Sequence, residues 1–461
     1  MTMSSIFWFR KDLRLQDNEA LSAAVRAASQ SSDNSVYCVY GFNSASFEKL
    51  EGIRQHSLSV AIKELSHSLD GKLTLLAANT DQELAENLVK ACSETGSLEV
   101  YAMQSFDPEG VAQQLTVAKT LEANGLSLRL IGSAYAVIPG VVRKPDGLNY
   151  RVYTPFYKAW NQLAQVNPIE LPELGTVWGS LKDQSIRIEP SKPSPFKVRA
   201  GEAFALRTFA RFRARALDDY DEQRNRADLS GTSHLSHALA HGEIHPRTLL
   251  SVLGDSNAHE VFRKEIAWRE FYADVLHHYP HTVNDYYEPR FKQLRYDSGA
   301  DAQQKFEAWC RGETGYPMVD AGMRQLLAEG WMHNRVRMIV ASFLVKDLHL
   351  EWTWGAAHFE AHLSDFDPAS NSHGWQWTAG CGTDASPYYR IFNPILQGLK
   401  FDPNGDYVRK YIPELRHLTD SSAHEPWEVF DGYANGYSTQ IVDHNTERNE
   451  SLARLEEIKT K

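Results

Sequence analysis

Residues 220–247, with the sequence YDEQRNRADLSGTSHLSHALAHGEIHPR, place a glycine and several hydroxyl groups just ahead of a helical pattern. Backbone N–H groups and hydroxyls at the start of a helix suit the binding of a diphosphate. Gly231, Thr232, Ser233 and Ser236 could supply these groups. An ordinary helix N-cap with a hydroxyl-stabilised turn explains the same residues at least as well. The segment alone therefore leaves phosphate binding and simple capping as alternatives.

Two tryptophans separated by one residue, Trp375 and Trp377, lie in the segment DFDPASNSHGWQWTAGCGTDASPYYRIFNP, residues 365–394. In an extended or irregular backbone, side chains at i and i+2 can be aimed independently. One indole could then face a buried cofactor while the other faces a cavity. Two core tryptophans beside a loop would be the more frequent arrangement, because buried tryptophans usually serve packing.

The stretch KEIAWREFYADVL, residues 264–276, carries a carboxylate and an indole, Glu265 and Trp268, at i, i+3 spacing. A helix would present both on one face. A solvated glutamate beside a core tryptophan is the commoner outcome for such a pair. Two histidine pairs have the i, i+4 spacing of a metal site, His241/His245 and His358/His362. Because neither has the glutamate of an H-E-x-x-H motif or a third ligand in register, no metal site is predicted.

The predicted secondary structure changes from alternating strands and helices to helices alone along the chain. Short β-prone runs in the first part are Ser4–Phe9, Val36–Phe42, Leu73–Leu76, Val100–Met103 and Leu126–Ile131. Helical patterns alternate with them at Ala20–Ala28, His56–Leu69, Asp81–Thr95 and Pro108–Asn124. This alternation predicts a parallel sheet with helices on both faces over residues 1–132. No G-x-G-x-x-G sequence is present, so a dinucleotide fingerprint does not explain this domain.

Residues 133–200 are rich in proline, which interrupts both helices and sheet ladders, so we expect a long connector without a core of its own. From residue 201 onward, β-prone runs nearly vanish and long amphipathic segments follow, such as Phe262–His278 and Asn334–Leu348. We therefore predict an all-helical domain over residues 201–461. Ligands commonly lodge between the helices of such a domain.

Composition restricts the class of partner and the compartment. The formal net charge is −11, so a nucleic acid partner would need a local basic patch on an acidic body. The candidates for this basic patch are Arg224, Arg335, Arg390, Lys400, Arg409 and Lys410. The four cysteines show no C-x-x-C spacing, which indicates neither a disulfide framework nor a zinc site. No stretch reaches the length needed to span a bilayer, and we expect a cytoplasmic protein.

The chain reads WQWTAGCGTDASPYYRIFNP from Trp375, then KFDP from Lys400 and IPEL from Ile412. These motifs and their spacing resemble the cryptochrome/photolyase flavoproteins. The resemblance extends over the whole chain and includes RVYTPFYKAW, residues 151–160. It implies an N-terminal α/β domain with a doubly wound, Rossmann-like parallel sheet, followed by an all-helical FAD-binding domain. The most similar group is the class I photolyases, which repair cyclobutane pyrimidine dimers in DNA.

The resemblance implies that the cofactor is FAD, active in its reduced form. The residues implied to hold it are Tyr220, Thr232, Ser233, Leu235, Ser236, Phe262, Glu265, Arg269, Arg337, Asp365, Asp367 and Asn371. The first five would bind the phosphates. Arg337 and Asp365 would form an ion pair beside the flavin, and Asn371 would accept a hydrogen bond from flavin N5, which favours the reduced cofactor. The chain departs from the family pattern at His234, where arginine is usual, and at Pro368, where leucine is usual.

Damaged DNA is the partner that the resemblance implies, with Glu265 hydrogen-bonding the dimer and Trp268 stacking on it. The implied catalytic residues are Glu265, Trp268, Asn334, Met338 and Trp377, and the implied DNA contacts are Arg224, Glu265, Trp268, Arg335, Trp377 and Arg390. Relatives that repair (6-4) photoproducts have two histidines where this chain has Asn334 and Met338, so that repair would lack its proton donor. A cryptochrome photoreceptor, a (6-4) photolyase and a non-photochemical enzyme are the alternatives.

Electron transfer to the flavin is implied to run through Trp375, Trp352 and Tyr296. Tyr296 stands where the family has a tryptophan, and a tyrosine is oxidised only with loss of its proton. The N-terminal domain is expected to hold a second, antenna chromophore, with 8-hydroxy-deazaflavin favoured over methenyltetrahydrofolate. The expected antenna contacts are Arg10, Lys11 and Asp107. We expect a monomer.

Overall fold

The computed structural model describes residues 4–30, 34–182, 188–190, 198–384 and 389–459. Its strands are β1 (Ser5–Phe9), β2 (Ser35–Phe42), β3 (Thr74–Ala77), β4 (Glu99–Ala102), β5 (Ser127–Leu130) and β6 (Val177–Gly179). Its α-helices are α1 (Glu19–Ala28), α2 (Ser44–Glu48), α3 (Gly52–Ser68), α4 (Asp81–Thr95), α5 (Pro108–Ala123), α6 (Tyr153–Leu163), α7 (Glu202–Arg215), α8 (Tyr220–Gln223), α9 (Ser236–His241), α10 (Pro246–Leu250), α11 (Asn257–His278), α12 (Ala300–Arg311), α13 (Pro317–Glu329), α14 (Asn334–Lys346), α15 (Trp352–His362), α16 (Pro368–Ala379), α17 (Pro394–Phe401), α18 (Asp406–Tyr411) and α19 (His444–Lys459). Short 3-10 helices span Pro280–Val283, Pro289–Gln293, Pro413–Leu415, Asp420–His424 and Pro426–Glu428.

By its internal contacts the chain divides into two units. The first unit comprises Met1–Arg215 and Ser233–Pro280, and the second comprises Ala216–Thr232 and His281–Lys461. The predicted boundary at residue 200 differs from this division, because residues 233–280 group with the sheet and not with the later helices.

Five parallel strands form the main path of the sheet in the first unit, in the order β3-β2-β1-β4-β5. Every residue of β1 is buried, as expected for a central strand with both faces covered. The predicted doubly wound parallel sheet is thus confirmed. Strand β6 also pairs with β2, over Ser35–Tyr37. The sequence gives no sign of β6, because it is three residues long and lies in the proline-rich segment.

Local sequence explains where the helices of this unit begin and end, as α4 shows. Thr80 caps α4 by accepting the N–H of Glu83 at 3.1 Å, while the Glu83 carboxylate accepts the N–H of Asn79 at 2.7 Å. This reciprocal pair of bonds is close to a capping box. Gly96 ends the helix with a φ of 70°, a left-handed conformation that glycine adopts without strain.

The proline-rich segment is tied into the first unit by a buried carboxylate of α11. Glu270 accepts the backbone N–H groups of Ala136 at 2.6 Å and Val137 at 2.9 Å, and the indole N–H of Trp160 at 2.6 Å. Burial raises the pKa of Glu270 to about 7. Helix α6, which carries Trp160, packs against α11. These contacts attach Ala136, Val137 and Trp160 of the proline-rich segment to α11 within the first unit.

The second unit is helical, and its described residues contain no strand. Helix α14 packs against α13, α15 and α16. Gly322 permits the close approach of α13, because a Cβ at this position would lie only 2.5 Å from a methyl group of Val336. The core includes Trp309, Phe343 and Trp352, each at most 1% exposed. The predicted change from a parallel sheet to a helical domain is confirmed.

Three general features concern the described part of the chain. None of its helices is long and apolar enough to cross a membrane. All four cysteines are unpaired thiols, and burial raises the pKa of Cys92 and of Cys310 to about 12, so both stay protonated at neutral pH. The described ranges contain no cluster of three or more histidine, cysteine or acidic side chains that could hold a metal ion.

Candidate functional site

Helix α11 of the first unit places Glu265 and Trp268 on one face, both half-buried. The Trp268 indole stacks on the ring of Tyr153, with ring centres 3.7 Å apart and planes inclined by 8°. The hydroxyl of Tyr153 donates to the carbonyl of Lys264 at 2.7 Å, which fixes the position of the tyrosine ring. Trp268 is therefore supported on one side by another aromatic ring and is not a core residue. Sequence reasoning missed Tyr153, although the aromatic spacing of residues 151–160 contains it.

The other two candidates on α11, Phe262 and Arg269, have their side chains packed against or bonded to other residues of the first unit. Phe262 is 4% exposed and packs against Phe212 at 5.1 Å between ring centres. The Arg269 guanidinium donates to the carbonyl of Ala134 at 3.0 Å and lies 4.6 Å from the ring centre of Tyr135. Arg269 thus holds the start of the proline-rich segment, and its contact with a flavin stays a prediction.

The hydroxyl-rich residues 231–236 are divided between the two units after Thr232. Within the first unit, Ser233 Oγ accepts the N–H of Leu235 at 3.4 Å, which forms a local turn. The backbone of His234 is left-handed, with a φ of 52°, an uncommon conformation for a residue with a side chain. Helix α9, which begins at Ser236, has six residues. Ser233 therefore forms the hydroxyl-stabilised turn, whereas the N-cap of α9 is Leu235, which makes no side-chain capping bond. Phosphate binding by this segment stays a prediction.

Tyr220 and Arg224 lie in and directly after helix α8 of the second unit. Tyr220 is 7% exposed, and the Arg224 guanidinium lies 5.8 Å from the centre of its ring. Gly231 returns to this helix so closely that a Cβ there would lie 2.5 Å from the Cβ of Gln223. This glycine is therefore required for the packing of the turn, whether or not a phosphate binds.

Arg337 and Asp365 form the expected ion pair, with Nη2 and Oδ2 2.6 Å apart. Arg337 also donates from Nε to the carbonyl of Met332 at 2.8 Å. The Asp365 side chain is 1% exposed, and its Oδ1 has no hydrogen-bond partner among the described residues. A buried carboxylate oxygen without a donor is unfavourable unless a ligand supplies one. The pair therefore fits a flavin site.

Helix α16 presents an acceptor beside open space. It begins at Pro368, where a missing N–H is tolerated, and Asp367 caps it by accepting the N–H of Ser370 at 2.7 Å. The Asn371 amide nitrogen donates to the carbonyl of Ala356 at 3.1 Å, so its oxygen, which can only accept, lies on the other side of the amide. A Cβ at Gly374, at i+3 from Asn371, would meet no described atom within 4 Å outside its own helix and chain neighbours. This face fits the edge of a ring that donates an N–H.

Trp375 and Trp377 lie within α16, so the expectation of an extended or irregular backbone is wrong. Positions i and i+2 of a helix differ by about 200° in direction, so the two indoles still point to different sides. Trp375 is 3% exposed and packs against Phe359 and Trp309, with ring centres 5.0 and 6.1 Å away. Trp377 is half-buried, and its N–H donates to the carbonyl of Asp384 at 3.2 Å.

Trp377 lines a small, partly open pocket in the second unit, together with Lys346, Tyr389 and Arg390. The buried Lys346 ammonium lies 4.3 Å from the ring centre of Tyr389 and donates to the carbonyl of Arg390. Burial lowers the pKa of Lys346 to about 7. The side chain of Arg390 is exposed, as a contact with DNA requires. Residues 385–388, which belong to the motif that begins at Trp375, lie outside the described residues.

Asn334 and Met338 are separated by one turn of α14 and share a face. Between them, Arg335 donates to the sulfur of Met338 at 3.3 Å and to the side-chain oxygen of Asn225 at 2.6 Å. Its guanidinium also lies 4.9 Å from the ring centre of Phe401. Arg335 is therefore engaged within the second unit, and its contact with DNA stays a prediction.

Two members of the predicted basic patch form ion pairs with carboxylates of the protein. Arg409 pairs with Asp406 at 2.6 Å, and Lys410 pairs with Glu329 at 3.5 Å. Exposed ion pairs of this kind contribute little and exchange readily. Lys400 is exposed. The patch is thus a set of partly neutralised charges, with Arg390, Lys400 and Lys410 as its exposed members.

Trp352 connects to Tyr296 through a residue that sequence reasoning missed. The ring of Tyr286 meets Trp352 edge-on, with centres 6.0 Å apart and planes at 90°. The Tyr286 hydroxyl lies 3.0 Å from the Tyr296 hydroxyl and 2.9 Å from the carboxylate of Glu351. The only sequence signals were an aromatic residue in a loop and a glutamate directly before Trp352.

The three expected antenna contacts lie in the first unit, at the carboxyl ends of β1 and β4. The winding direction of the sheet reverses between these strands, which is where ligands of such sheets usually bind. Arg10 is 9% exposed and donates to the carbonyls of Met103 and Gly110. Lys11 and Asp107 form an ion pair at 3.2 Å. Lys11 and Asp107 therefore satisfy each other, whereas Arg10 is satisfied by backbone carbonyls and does not fit an open contact with a second chromophore.

Comparisons with known proteins agree along the chain. The family model for DNA photolyase matches residues 5–174, and the model for the FAD binding domain of DNA photolyase matches residues 262–457. A deoxyribodipyrimidine photo-lyase of Agrobacterium fabrum is 40% identical over 99% of this chain and 98% of its own length. A crystal structure of a bacterial class III photolyase from Agrobacterium tumefaciens has 38% identity and a TM-score of 0.88, covering 100% of this chain and 98% of that chain. A cryptochrome from Synechocystis has 25% identity and a TM-score of 0.83, covering 98% of this chain and 99% of that chain.

Proposed function

We propose, because the chain belongs to the DNA photolyase family, that it repairs cyclobutane pyrimidine dimers in DNA by a light-dependent reaction with FAD. The observation that carries the proposal is the 40% identity to a deoxyribodipyrimidine photo-lyase over 99% of this chain. The enzyme is thus a carbon–carbon lyase. Reduced FAD, when bound, supplies an electron to the dimer after absorbing light and takes it back once the cyclobutane bonds have split.

The second unit offers the groups that hold the flavin ring in this proposal. The Asp365 carboxylate, fixed by Arg337, has a buried oxygen that requires a donor. Asn371 is oriented by Ala356 with its amide oxygen as an acceptor. An acceptor at the ring N–H stabilises the reduced state, which is the state that donates an electron. The phosphates of the cofactor are assigned to Tyr220, Thr232, Ser233, Leu235 and Ser236.

The dimer itself is bound by residues whose chemistry suits an extruded base pair. Glu265 accepts hydrogen bonds from base edges, and Trp268 stacks on the bases with Tyr153 behind it. Asn334 and Met338 line the dimer without supplying a titratable proton, and Trp377 contributes a half-exposed ring. Arg224, Arg335 and Arg390 are assigned to the DNA backbone.

The absence of two histidines at positions 334 and 338 favours cyclobutane dimers over (6-4) photoproducts, whose repair requires a proton donor. The solved relative with 38% identity is described as a class III photolyase, whereas the motifs resemble class I. We therefore state the proposal for the reaction and not for a class. The Synechocystis cryptochrome makes a photoreceptor the second candidate function.

The proposal includes a second chromophore in the first unit, with 8-hydroxy-deazaflavin as the favoured compound. Its support is the ligand-binding position at the switch between β1 and β4. Because Arg10 is engaged internally, Lys11 and Asp107 would have to exchange their ion pair for contacts with the ligand. Heat release of the bound chromophores, followed by mass spectrometry, distinguishes a deazaflavin, a folate and an empty site. Gel filtration tests the expected monomer, and fractionation of cells tests the cytoplasmic location.

The function is tested by incubating the reduced, purified protein with an oligonucleotide that carries one thymine dimer, in blue light and in darkness. Loss of the dimer only in light supports a photolyase. A protein that binds and photoreduces flavin but repairs neither this dimer nor a (6-4) photoproduct is a photoreceptor. The variant Trp268→Ala, which keeps every residue of the predicted flavin site, separates loss of lesion binding from loss of cofactor.

A further inference from the structure

A hydrogen-bonded cluster of two tyrosines and one glutamate adjoins Trp352 in the second unit. Tyr286 is 5% exposed and touches Trp352 with its ring edge, at 6.0 Å between centres. Its hydroxyl lies 2.9 Å from the Glu351 carboxylate and 3.0 Å from the Tyr296 hydroxyl. A hydroxyl has one hydrogen to donate and can also accept. The geometry is therefore satisfied when Tyr286 donates to Glu351 and accepts from Tyr296.

Among the described residues, Trp352 has no hydrogen-bond acceptor to which it could give its indole proton. It is 1% exposed, and its indole N–H has no hydrogen-bond acceptor among the described residues. The same is true of the indole N–H of Trp375. Once oxidised, either tryptophan would stay a radical cation in a buried position. A neighbour that can release both an electron and a proton would remove this charge.

We propose that Tyr286 is the residue that re-reduces Trp352, with Glu351 as the acceptor of its proton. The inference rests on the proposed function, because it concerns the route by which light reduces the flavin. In the first step an electron passes from Tyr286 to the Trp352 radical cation, and the phenolic proton passes to the Glu351 carboxylate. The products are neutral tryptophan, a neutral tyrosyl radical and a neutral carboxylic acid, so charge and protons balance.

A second step moves the radical toward the surface. The Tyr296 hydroxyl gives its proton to the Tyr286 oxygen along the 3.0 Å contact, and one electron follows. Tyr286 is restored as a phenol, and the radical now lies on Tyr296, which is half-buried. This step needs no further acceptor, because the proton only changes its oxygen. Tyr296 thereby becomes the last member of the route, and Tyr286 the relay that connects it to Trp352.

The protonation of both phenols supports a coupled mechanism. Burial raises the pKa of Tyr286 and that of Tyr296 well above the ordinary value, so neither is ionised at neutral pH. Oxidation of a neutral phenol without proton transfer would leave a strongly acidic cation in a buried position. The Glu351 carboxylate, in hydrogen-bond contact, removes that obstacle.

The test is transient absorption and electron paramagnetic resonance of the flavin-loaded protein after a light pulse. In the wild type we expect a tyrosyl radical to appear as the tryptophan radical decays, with slower decay in deuterated water. In Tyr286→Phe the ring edge on Trp352 is kept and the hydroxyl is lost, so the tyrosyl radical should be lost and the tryptophan radical should persist. In Glu351→Gln the tyrosyl radical should also be lost, although both phenols remain.

Two further variants make the assignment specific. In Tyr296→Phe a tyrosyl radical should still form, confined to Tyr286. The matched control is Tyr411→Phe, because Tyr411 also donates to a glutamate, Glu329 at 2.7 Å, and belongs to a different cluster. This variant should behave as the wild type.

The inference is overturned if Tyr286→Phe forms the tyrosyl radical in wild-type yield. It is also overturned if the wild type photoreduces its flavin without any tyrosyl radical, or with identical kinetics in deuterated water, a result that requires no variant. Dimer repair is measured on the same samples with chemically reduced flavin. If repair is normal and Tyr286→Phe still forms the tyrosyl radical, only the proposed role of Tyr286 is refuted. If the radicals behave as expected but no dimer is repaired, only the proposed function is refuted.

Discussion

Gly355 of α15 tests the position of Trp375 in the second unit. A methyl group at residue 355 would lie 2.1 Å from the Cη2 atom of Trp375 and 2.6 Å from a methyl carbon of Leu344. Trp375 cannot yield easily, because it is 3% exposed and packs against Trp309 and Phe359. Gly355→Ala should therefore displace the whole indole.

Two opposing effects decide the size of the change. Replacing glycine by alanine inside a helix ordinarily stabilises it by about 1 kcal/mol. Forcing an extra carbon into a filled core typically destabilises by about 1–3 kcal/mol. Because the gap of 2.1 Å at Gly355 is far below a normal carbon–carbon contact, the second effect should dominate. We expect a lower free energy of unfolding and slower photoreduction of the flavin.

The assay is urea denaturation of the flavin-free protein, followed by circular dichroism, with Gly374→Ala as the matched control. Gly374 lies in the interior of α16, and a Cβ there meets no described atom within 4 Å outside its own helix and chain neighbours. The control should therefore unfold at a higher urea concentration, with its free energy of unfolding raised by about 0.5–1 kcal/mol. A Gly355→Ala protein that is as stable as the control would refute the packing described for Trp375.

The remaining predictions concern the ion pair, the buried glutamate of α11 and the stacked tyrosine. Asp365→Ala should leave Arg337 without its carboxylate, lower the free energy of unfolding by about 1–3 kcal/mol, and reduce flavin retention on a desalting column. Burial raises the pKa of Glu270 from 4.5 to about 7, so the stability it contributes is complete below about pH 4.5 and is lost as the pH rises to 7. The difference in unfolding free energy between wild type and Glu270→Gln should therefore shrink from pH 5 to pH 8 in urea titrations. Tyr153→Leu should remove the support of Trp268, worth about 0.5–1.5 kcal/mol, and weaken binding of dimer DNA in a fluorescence titration.

Each of these predictions has an outcome that contradicts it. Unchanged flavin retention in Asp365→Ala would remove the ion pair from the flavin site. A constant difference between wild type and Glu270→Gln from pH 5 to pH 8 would show that Glu270 titrates alike in the folded and unfolded chain. Tyr153→Phe keeps the stacked ring, so it should bind dimer DNA as the wild type does, and equal loss in both Tyr153 variants would exclude stacking as the cause.

The sheet was predictable because its signal is local. Short β-prone runs alternate with amphipathic patterns, and each predicted strand lies within about two residues of an observed one. The packing of the proline-rich segment was not predictable, because it depends on a residue that is distant in sequence. This residue is Glu270, which accepts the N–H groups of Ala136 and Val137. A strand as short as β6 also has no periodicity to detect.

The candidate site divides in the same way between local and distant contacts. The shared face of Glu265 and Trp268 follows from helical spacing, whereas the Tyr153 ring behind Trp268 comes from a remote segment. Trp375 and Trp377 do point to different sides, but a helix produces this result and not the irregular backbone that we expected. The contact between Tyr286 and Trp352 was not predictable, because nothing in the sequence around Tyr286 indicates it.

Light-dependent repair of cyclobutane dimers is tested by comparing two lesions in one experiment. Reduced, purified protein is given equal amounts of an oligonucleotide with a cyclobutane thymine dimer and one with a (6-4) photoproduct, in blue light and in darkness. We expect only the cyclobutane dimer to be converted to intact thymines, and only in light. Repair in darkness, repair of the (6-4) photoproduct instead, or no repair of either lesion by a flavin-loaded protein would contradict it.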